Sequence, residues 1–330
     1  MKDFAFAQPR SEQAALELLS PQPGKTVILA GGTDLVGLMK RLIVTPERVV
    51  HIGRIDSLRR IDEDTQGNLW VGAAVRLEEW LEDRRLALYP AVSQVIQNIS
   101  SPQLRNQGTV GGELLHRPRC WYFRSGFGLL ADGGRMVAQG DNRYHAILGN
   151  QGPSKFVHAS RLAPPLISLA ARVRVVGPGP KEETFLPLES FYHIPAADAE
   201  RETVLQANQL VTHVILPAHS GQLSAAYEVR HGVGPEPPLA AAAATLVISD
   251  GLVREAKLVL GQVAPVPWVA AATAASMLSR RFDRQLAEQV SHEAVAAATP
   301  LSENQYKIQL AQVALLRALL LAAGIDPGGL

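Results

Sequence analysis

One short segment constrains this chain more than any other. It holds an apolar run, Thr26 to Ala30 (TVILA), a glycine pair, Gly31 and Gly32, a helical pattern from Asp34 to Leu42, and a second apolar run, Arg48 to Ile52 (RVVHI). Apolar runs without polar alternation read as buried strands. Two such strands joined through a helix make a βαβ unit.

The rest of the chain alternates around that unit. Ser11 is placed to cap a helix with apolar face Ala15, Leu16, Leu18 and Leu19, which Pro21 to Gly24 breaks. A strand from Leu69 to Val75 leads into an amphipathic helix around Leu77–Leu81, and another helix is expected from Ala91 to Ile99. Ser100, Ser101 and Pro102 end it, and a glycine-containing turn runs from Gln107 to Glu113. His116 to Ser154, rich in Gly, Arg and aromatics, shows no clean period and reads as a long irregular excursion, of the kind that is often functional. Leu162–Val176 reads as a helix or turn running into a strand, closed by GPGP at Gly177–Pro180, with strands near Thr184–Leu186 and Leu210–Leu216 and a linker from Pro217 to Gly221. Strands then follow at Leu239–Ser249 and Leu252–Leu260, and helices at Trp268–Leu278, Asp283–Ala298 and Asn304–Ala322. The change from mixed elements to strands followed by helices puts a boundary near residue 220: residues 1–60 as the βαβ subdomain, 61–220 as a second subdomain with the excursion at 116–154, and 221–330 as a C-terminal domain. The run Ala240–Ala244 reads as close packing.

Chemistry concentrates at the glycines. Ala30, Gly31, Gly32, Thr33, Asp34 and Leu35 follow a strand and open a helix, where glycine lets the backbone approach a ligand and successive amides make an anion-binding concavity. A pyrophosphate is the natural guest, and a plain tight turn is the alternative. The spacing is neither GxGxxG nor a GK[ST] loop. A second turn, Thr109-Val110-Gly111-Gly112-Glu113, allows two such loops to clamp one diphosphate-containing cofactor.

Composition excludes several other chemistries. With 32 basic and 31 acidic residues the formal charge is +1, which gives no reason to expect nucleic acid or an acidic membrane as partner. The single cysteine, Cys120, excludes an internal disulfide framework, and an iron–sulfur cluster would need about four thiolates. The nine histidines have no HxxH or HExxH spacing, so no metal site is expected. The N-terminal residues show no leader pattern, and the apolar stretch Leu310–Ala323, broken by Gln312 and Arg317, is shorter than the ~20 residues of a membrane span. A cytoplasmic location is expected, with the periplasm open through co-export with a partner.

At this point the residues resemble the FAD-binding medium subunits of the molybdenum hydroxylases, the xanthine dehydrogenase and aldehyde oxidoreductase group. AGGTDL (Ala30–Leu35) resembles that family's first flavin diphosphate loop and SPQLRNQGTVGGELL (Ser101–Leu115) its second. LGQVAPVPW (Leu260–Trp268) and PLSENQYK (Pro300–Lys307) resemble hallmarks of its C-terminal domain. RPRCWYFR (Arg117–Arg124) with DNRYHAILG (Asp141–Gly149) is most similar to the periplasmic aldehyde oxidoreductase branch, some of whose subunits carry a [4Fe–4S] cluster in the excursion; here Cys120 stands alone. The resemblance implies an α+β chain. A two-subdomain FAD-binding fold of the vanillyl-alcohol-oxidase (PCMH) type comes first, then a C-terminal sheet-plus-helices domain of the CO dehydrogenase flavoprotein type. It implies FAD held by Ala30–Leu35, Ser101, Thr109, Gly111, Gly112, Glu113, Arg161, Leu162 and Leu210, with no catalytic acid or base on this chain. It implies a molybdenum-cofactor large subunit and a [2Fe–2S] small subunit as partners, and NAD, quinone, ferredoxin or O₂ as acceptor.

Three positions depart from the family pattern. Glu113 stands where the second loop usually has Asn, Arg161 where the Asp of SDLAP is usual, and Glu228 or Val229 in the neighbourhood of a lysine that often sits near the flavin. Arg161 neutralising Glu113, or contacting a phosphate, is one compensation. Two other readings stay open: a non-catalytic scaffold of the same complex without flavin, and a stand-alone FAD oxidoreductase of the peptidoglycan-precursor reductase class.

Overall fold

The computed structural model describes residues 1–179 and 181–328, so Pro180, the last residue of the expected GPGP turn, lies outside the described residues, as does the end of the C-terminal segment. The βαβ unit is present. Strands β1 (Ala5–Ala7), β2 (Thr26–Leu29) and β3 (Arg48–His51) form a parallel sheet in the order β1-β3-β2. The Ser11 hydroxyl accepts from the Ala14 amide at 3.1 Å and caps the helix Glu12–Leu16. That helix buries Ala15 beneath the small sheet, beside Val50, Ile52, Leu58 and Ala74. The helix after the glycine pair, Leu35–Lys40, instead buries Leu38 against Phe123, Leu130 and Phe156 of the excursion.

A five-stranded antiparallel sheet follows, built from β4 (Ile61–Glu63), β5 (Leu69–Gly72), β6 (Arg172–Val176), β7 (Glu183–Pro187) and β8 (Leu210–Leu216) in the order β4-β5-β8-β6-β7. One core joins it to Trp80, to Val92, Val95 and Ile96 of the helix Pro90–Asn98, and to Leu162 and Leu166. The C-terminal sheet consists of β9 (Leu223–Val229), β10 (Ala240–Ser249), β11 (Leu252–Gly261) and β12 (Trp268–Val269), in the order β12-β11-β10-β9. The helix Tyr306–Ala322 lies on its outer face, burying Ala311, Ala314, Leu315 and Ala318.

The alanine run forms the first half of β10. Ala240, Ala242 and Ala244 face the core under the terminal helix, while Ala243 joins Ala226 and Val259 in the core of the five-stranded sheet. A pleated strand points successive side chains to opposite faces, and methyl groups let both neighbours approach closely.

Several elements differ from the sequence expectation. Ser101 starts a helix, Pro102–Gln107, as its N-cap, because proline is well suited to the first helical position. The second glycine turn is itself a short helix, Val110–Leu114, capped by Thr109. The excursion contains two short helices, Trp121–Arg124 and Arg135–Gln139. The expected helix at Trp268 opens as the edge strand β12 and becomes helical at Ala271. Strands β1, β4 and β9 carry too little apolar alternation to stand out in sequence and are stabilised by their pairing partners.

Candidate cofactor site

The two glycine turns touch. An ideal Cβ on Gly31 would lie 1.9 Å from the Gln107 carbonyl oxygen, so only glycine allows the contact. The Gln107 amide nitrogen Nε2 donates back to the Gly31 carbonyl at 3.0 Å. Gly32 follows with φ +74°, the left-handed region that glycine enters without a Cβ penalty. The backbone amides of Gly31, Gly32, Thr33 and Asp34 find no acceptor among the described residues. Beside this open turn lies a small cleft lined by Ala30, Gly31, His51, Arg59, Arg76, Gln107 and Thr109. Unpaired amides next to two guanidinium groups are suited to an anionic guest such as a diphosphate.

The second turn is built differently. Val110 N–H donates to the Val75 carbonyl at 3.0 Å, Gly111 N–H to Ala73 at 2.8 Å and Glu113 N–H to Thr109 at 2.8 Å. Gly112 N–H donates to the Thr109 hydroxyl at 3.2 Å. Its amides are therefore occupied within the chain, and Gly111 is there because a Cβ would meet Ala73 at 2.8 Å. The expectation that both turns act alike through backbone amides is corrected: the first offers amides, and the second offers the Thr109 hydroxyl and the fit of its backbone.

Between the turns stands His116, which sequence reasoning missed. Its Nε2 lies 3.5 Å from Asp34 Oδ1 and its Nδ1 3.4 Å from Glu113 Oε2, with the three side chains 10%, 14% and 11% exposed. Burial works against charge on the ring, but the two carboxylates prevail and raise its pKa to about 9. Burial likewise works against the Glu113 carboxylate, yet His116 and the Arg161 amide bring it down to about 2. Asp34 is held below the usual carboxylate range, against burial, by His116, Arg124 and the Arg117 amide. The Asp34 carboxylate therefore leaves its own helix N-terminus uncapped and takes Arg124 Nη2 at 2.7 Å and Arg117 N–H at 3.0 Å. The spacing of Glu113 and His116, three residues apart across the C-terminal end of the helix Val110–Leu114, was the available signal.

The three departures form one connected group. The Arg161 amide donates to Glu113 at 2.8 Å, while its guanidinium turns the other way and takes the Glu228 carboxylate with both Nε and Nη2, Nε at 2.7 Å. His116 is thus the main partner of the Glu113 charge, and Arg161 adds its amide and a smaller Coulombic contribution. Leu162 is buried at the start of the helix Ala163–Ser168. Leu210 lies in the core under the small sheet with Ala15 and Ala74. Ser101 stands at the far end of the helix whose last residue, Gln107, meets Gly31.

The C-terminal motifs serve to fasten the excursion. Asn304 Nδ2 donates to the His145 and Ala146 carbonyls at 3.1 and 3.3 Å. Buried Lys307 donates to the Tyr144, His145 and Gln262 carbonyls at 3.1, 3.1 and 2.7 Å. Cys120 Sγ sits 3.2 Å from His145 Nε2 in the same region. Among the described residues, no group of three or more His, Cys, Asp and Glu side chains is arranged to hold a metal ion, and no helix is long and apolar enough to cross a membrane.

Comparison with known proteins agrees with this architecture along the whole chain. Residues 2–219 match the family described as the FAD binding domain in molybdopterin dehydrogenase, and residues 236–322 the CO dehydrogenase flavoprotein C-terminal domain. The aldehyde oxidoreductase FAD-binding subunit PaoB of Escherichia coli (strain K12) is 33% identical over 315 residues, 93% of this chain and 95% of that protein. The carbon monoxide dehydrogenase medium chain of Hydrogenophaga pseudoflava is 24% identical, over 96% of each chain. Among solved structures, carbon monoxide dehydrogenase from Hydrogenophaga pseudoflava superposes with a TM-score of 0.77 at 23% identity, covering 98% of both chains. Quinoline 2-oxidoreductase from Pseudomonas putida 86 superposes with a TM-score of 0.76 at 20% identity, covering 98% of this chain and 99% of that one. The α+β fold expected from the motifs is thereby shown, and the chain belongs to the family of FAD-binding medium subunits of the molybdenum hydroxylases.

Proposed function

We propose that this chain holds FAD and serves as the electron-transfer subunit of a molybdenum-dependent hydroxylase, beside a molybdenum-cofactor subunit and a [2Fe–2S] subunit. The observation that carries the reading is the set of unpaired amides at Gly31, Gly32, Thr33 and Asp34, in the turn whose Gly31 lines the cleft together with Arg59 and Arg76. Those amides are the groups that would hold the diphosphate, with Thr109 also lining the cleft. The flavin supplies the redox chemistry when bound, and the chain supplies position and electrostatics. Gln107 fixes the approach of the two turns, and the Asp34–His116–Glu113 bridge keeps two carboxylates from repelling a diphosphate by pairing both with one cation. NAD, quinone, ferredoxin and O₂ are the candidate acceptors.

Purification of the complex tests the reading. A flavin absorbance band that bleaches on addition of an aldehyde or N-heterocycle and returns with one of these acceptors is expected. No flavin in the complex, even after incubation with FAD, would overturn it in favour of the flavin-free scaffold, a reading that the internally occupied amides of the second turn favour.

A further inference from the structure

We propose that His116 is a positioning residue for the flavin site: its imidazolium joins Asp34 of the first turn to Glu113 of the second, so that one proton holds the diphosphate cleft at its working width. The inference rests on the reading of the cleft as an FAD site.

The two turns are connected at two places. At one end Gln107 Nε2 donates to the Gly31 carbonyl at 3.0 Å; at the other, His116 stands 3.5 Å from Asp34 and 3.4 Å from Glu113. The unpaired amides lie between these connections. The first is a neutral hydrogen bond and indifferent to pH. The second needs a cation, because without the proton Asp34 and Glu113 become two partly buried carboxylates on either side of a neutral ring, and like charges in a weakly solvated site repel.

Every charged neighbour of the ring bears on this. Asp34 and Glu113 favour the proton. Arg119 Nη2, 3.5 Å from His116 Nε2, opposes it. Arg124, at 2.7 Å, and the Arg117 amide draw on Asp34 from the other side. The Arg161 amide draws on Glu113, while its guanidinium is committed to Glu228. Buried His158 stays neutral nearby, its pKa lowered by burial to about 3, and Tyr192, packed edge-to-face against it at a centroid distance of 4.4 Å, also stays neutral. The carboxylates win, and the ring titrates near 9. The raised value means that the connection is complete below the ordinary histidine range and is lost as pH rises through about 9.

The test uses the full chain and two readouts. The His116 ring resonances of the flavin-free chain are followed by NMR from about pH 6 to about pH 10, and FAD dissociation constants are measured over the same range. The expected ring titration lies near 9 and moves toward the ordinary value in Glu113→Gln. The expected FAD affinity of the unsubstituted chain falls by about tenfold per pH unit beyond that point. His116→Gln is expected to bind about tenfold more weakly at neutral pH, with a flat profile. His116→Lys, a cation to higher pH, is expected to restore binding and carry it further into the alkaline range. A ring that titrates near 6.5 overturns the inference whatever FAD does, and so does an identical alkaline loss in His116→Gln. A ring that titrates near 9 in a chain that binds no FAD overturns the flavin reading and leaves the connection standing. The ring titration decides the matter even where His116→Gln fails to fold.

Discussion

Arg161 and Glu228 form an ion pair in the interior, 7% and 1% exposed, that joins the loop before the helix Ala163–Ser168 to strand β9 of the C-terminal sheet. Truncating one partner strands the other charge away from water, whereas replacing both with apolar groups removes both desolvation costs. Arg161→Met or Glu228→Leu alone is expected to cost about 3–5 kcal/mol in chemical denaturation. The double variant is expected to recover most of that loss, and exchanging the two residues, Arg161→Glu with Glu228→Arg, to do so at least in part. Additive losses in the double variant would show that the pair is not the link between these elements.

The contact of the glycine turns gives a sharper local test. Gly31→Ala places a Cβ against the Gln107 carbonyl, and the turns have to part. A loss of about 1–3 kcal/mol in stability is expected, with FAD binding weakened well beyond that of the unsubstituted chain. Gly37→Ala is the control, since nothing lies within 4 Å of its Cβ and the residue is helical. It is expected to stabilise by about 0.5–1 kcal/mol and to leave binding unchanged.

Lys307 gives a pH signature opposite in sign to that of His116. Burial lowers its pKa to about 7 from 10.5. The unfolded chain then binds a proton that the folded chain does not, so this group stabilises increasingly as pH rises from about 7 toward 10.5. Lys307→Met leaves the Tyr144 and Gln262 carbonyls short of this donor, while His145 keeps Asn304, and is expected to cost about 1–3 kcal/mol. Urea denaturation at two pH values checks the sign: the gap between the unsubstituted chain and Lys307→Met should widen at the higher pH.

Cys120 is expected to be inert in the folded chain. It is 8% exposed, burial raises its thiol pKa, and its neighbour His145 is held neutral, with a pKa of about 4, mainly by burial. A neutral thiol beside a neutral imidazole is a poor nucleophile. Labelling with a disulfide reagent should be slow in buffer and complete in denaturant; fast labelling of the native chain would contradict the buried placement.

Much of this molecule was legible in its residues. The βαβ unit was readable because its signals are local: an apolar run, a glycine pair, a capped helix. The motifs at Leu260–Trp268 and Pro300–Lys307 were readable as marks of the family, but their physical role was not. Asn304 and Lys307 act on carbonyls of residues 144–146, far away in sequence, and no local pattern announces such a partner. His116 was missed for a related reason. Glu113 and Arg161 stand out in sequence as individual departures, whereas the cation that pairs with Glu113 lies three residues on, past the helix end, in a segment with no period to organise it. Arg161 and Glu228 were both marked as anomalies, and only the fold showed them to be one anomaly with two ends.

The alanines of β10 have a further consequence. Because Ala242 and Ala244 support the terminal helix while Ala243 supports the core that also contains Val110 and Leu162, the strand is a party wall between two rooms. Ending the chain before Tyr306 removes the furnishing of one room, yet the alanine half of the wall has no side chain long enough to take up the slack. Damage at the far C-terminus therefore reaches Ala243 and, through the core it shares, Val110 and Leu162 on the other side.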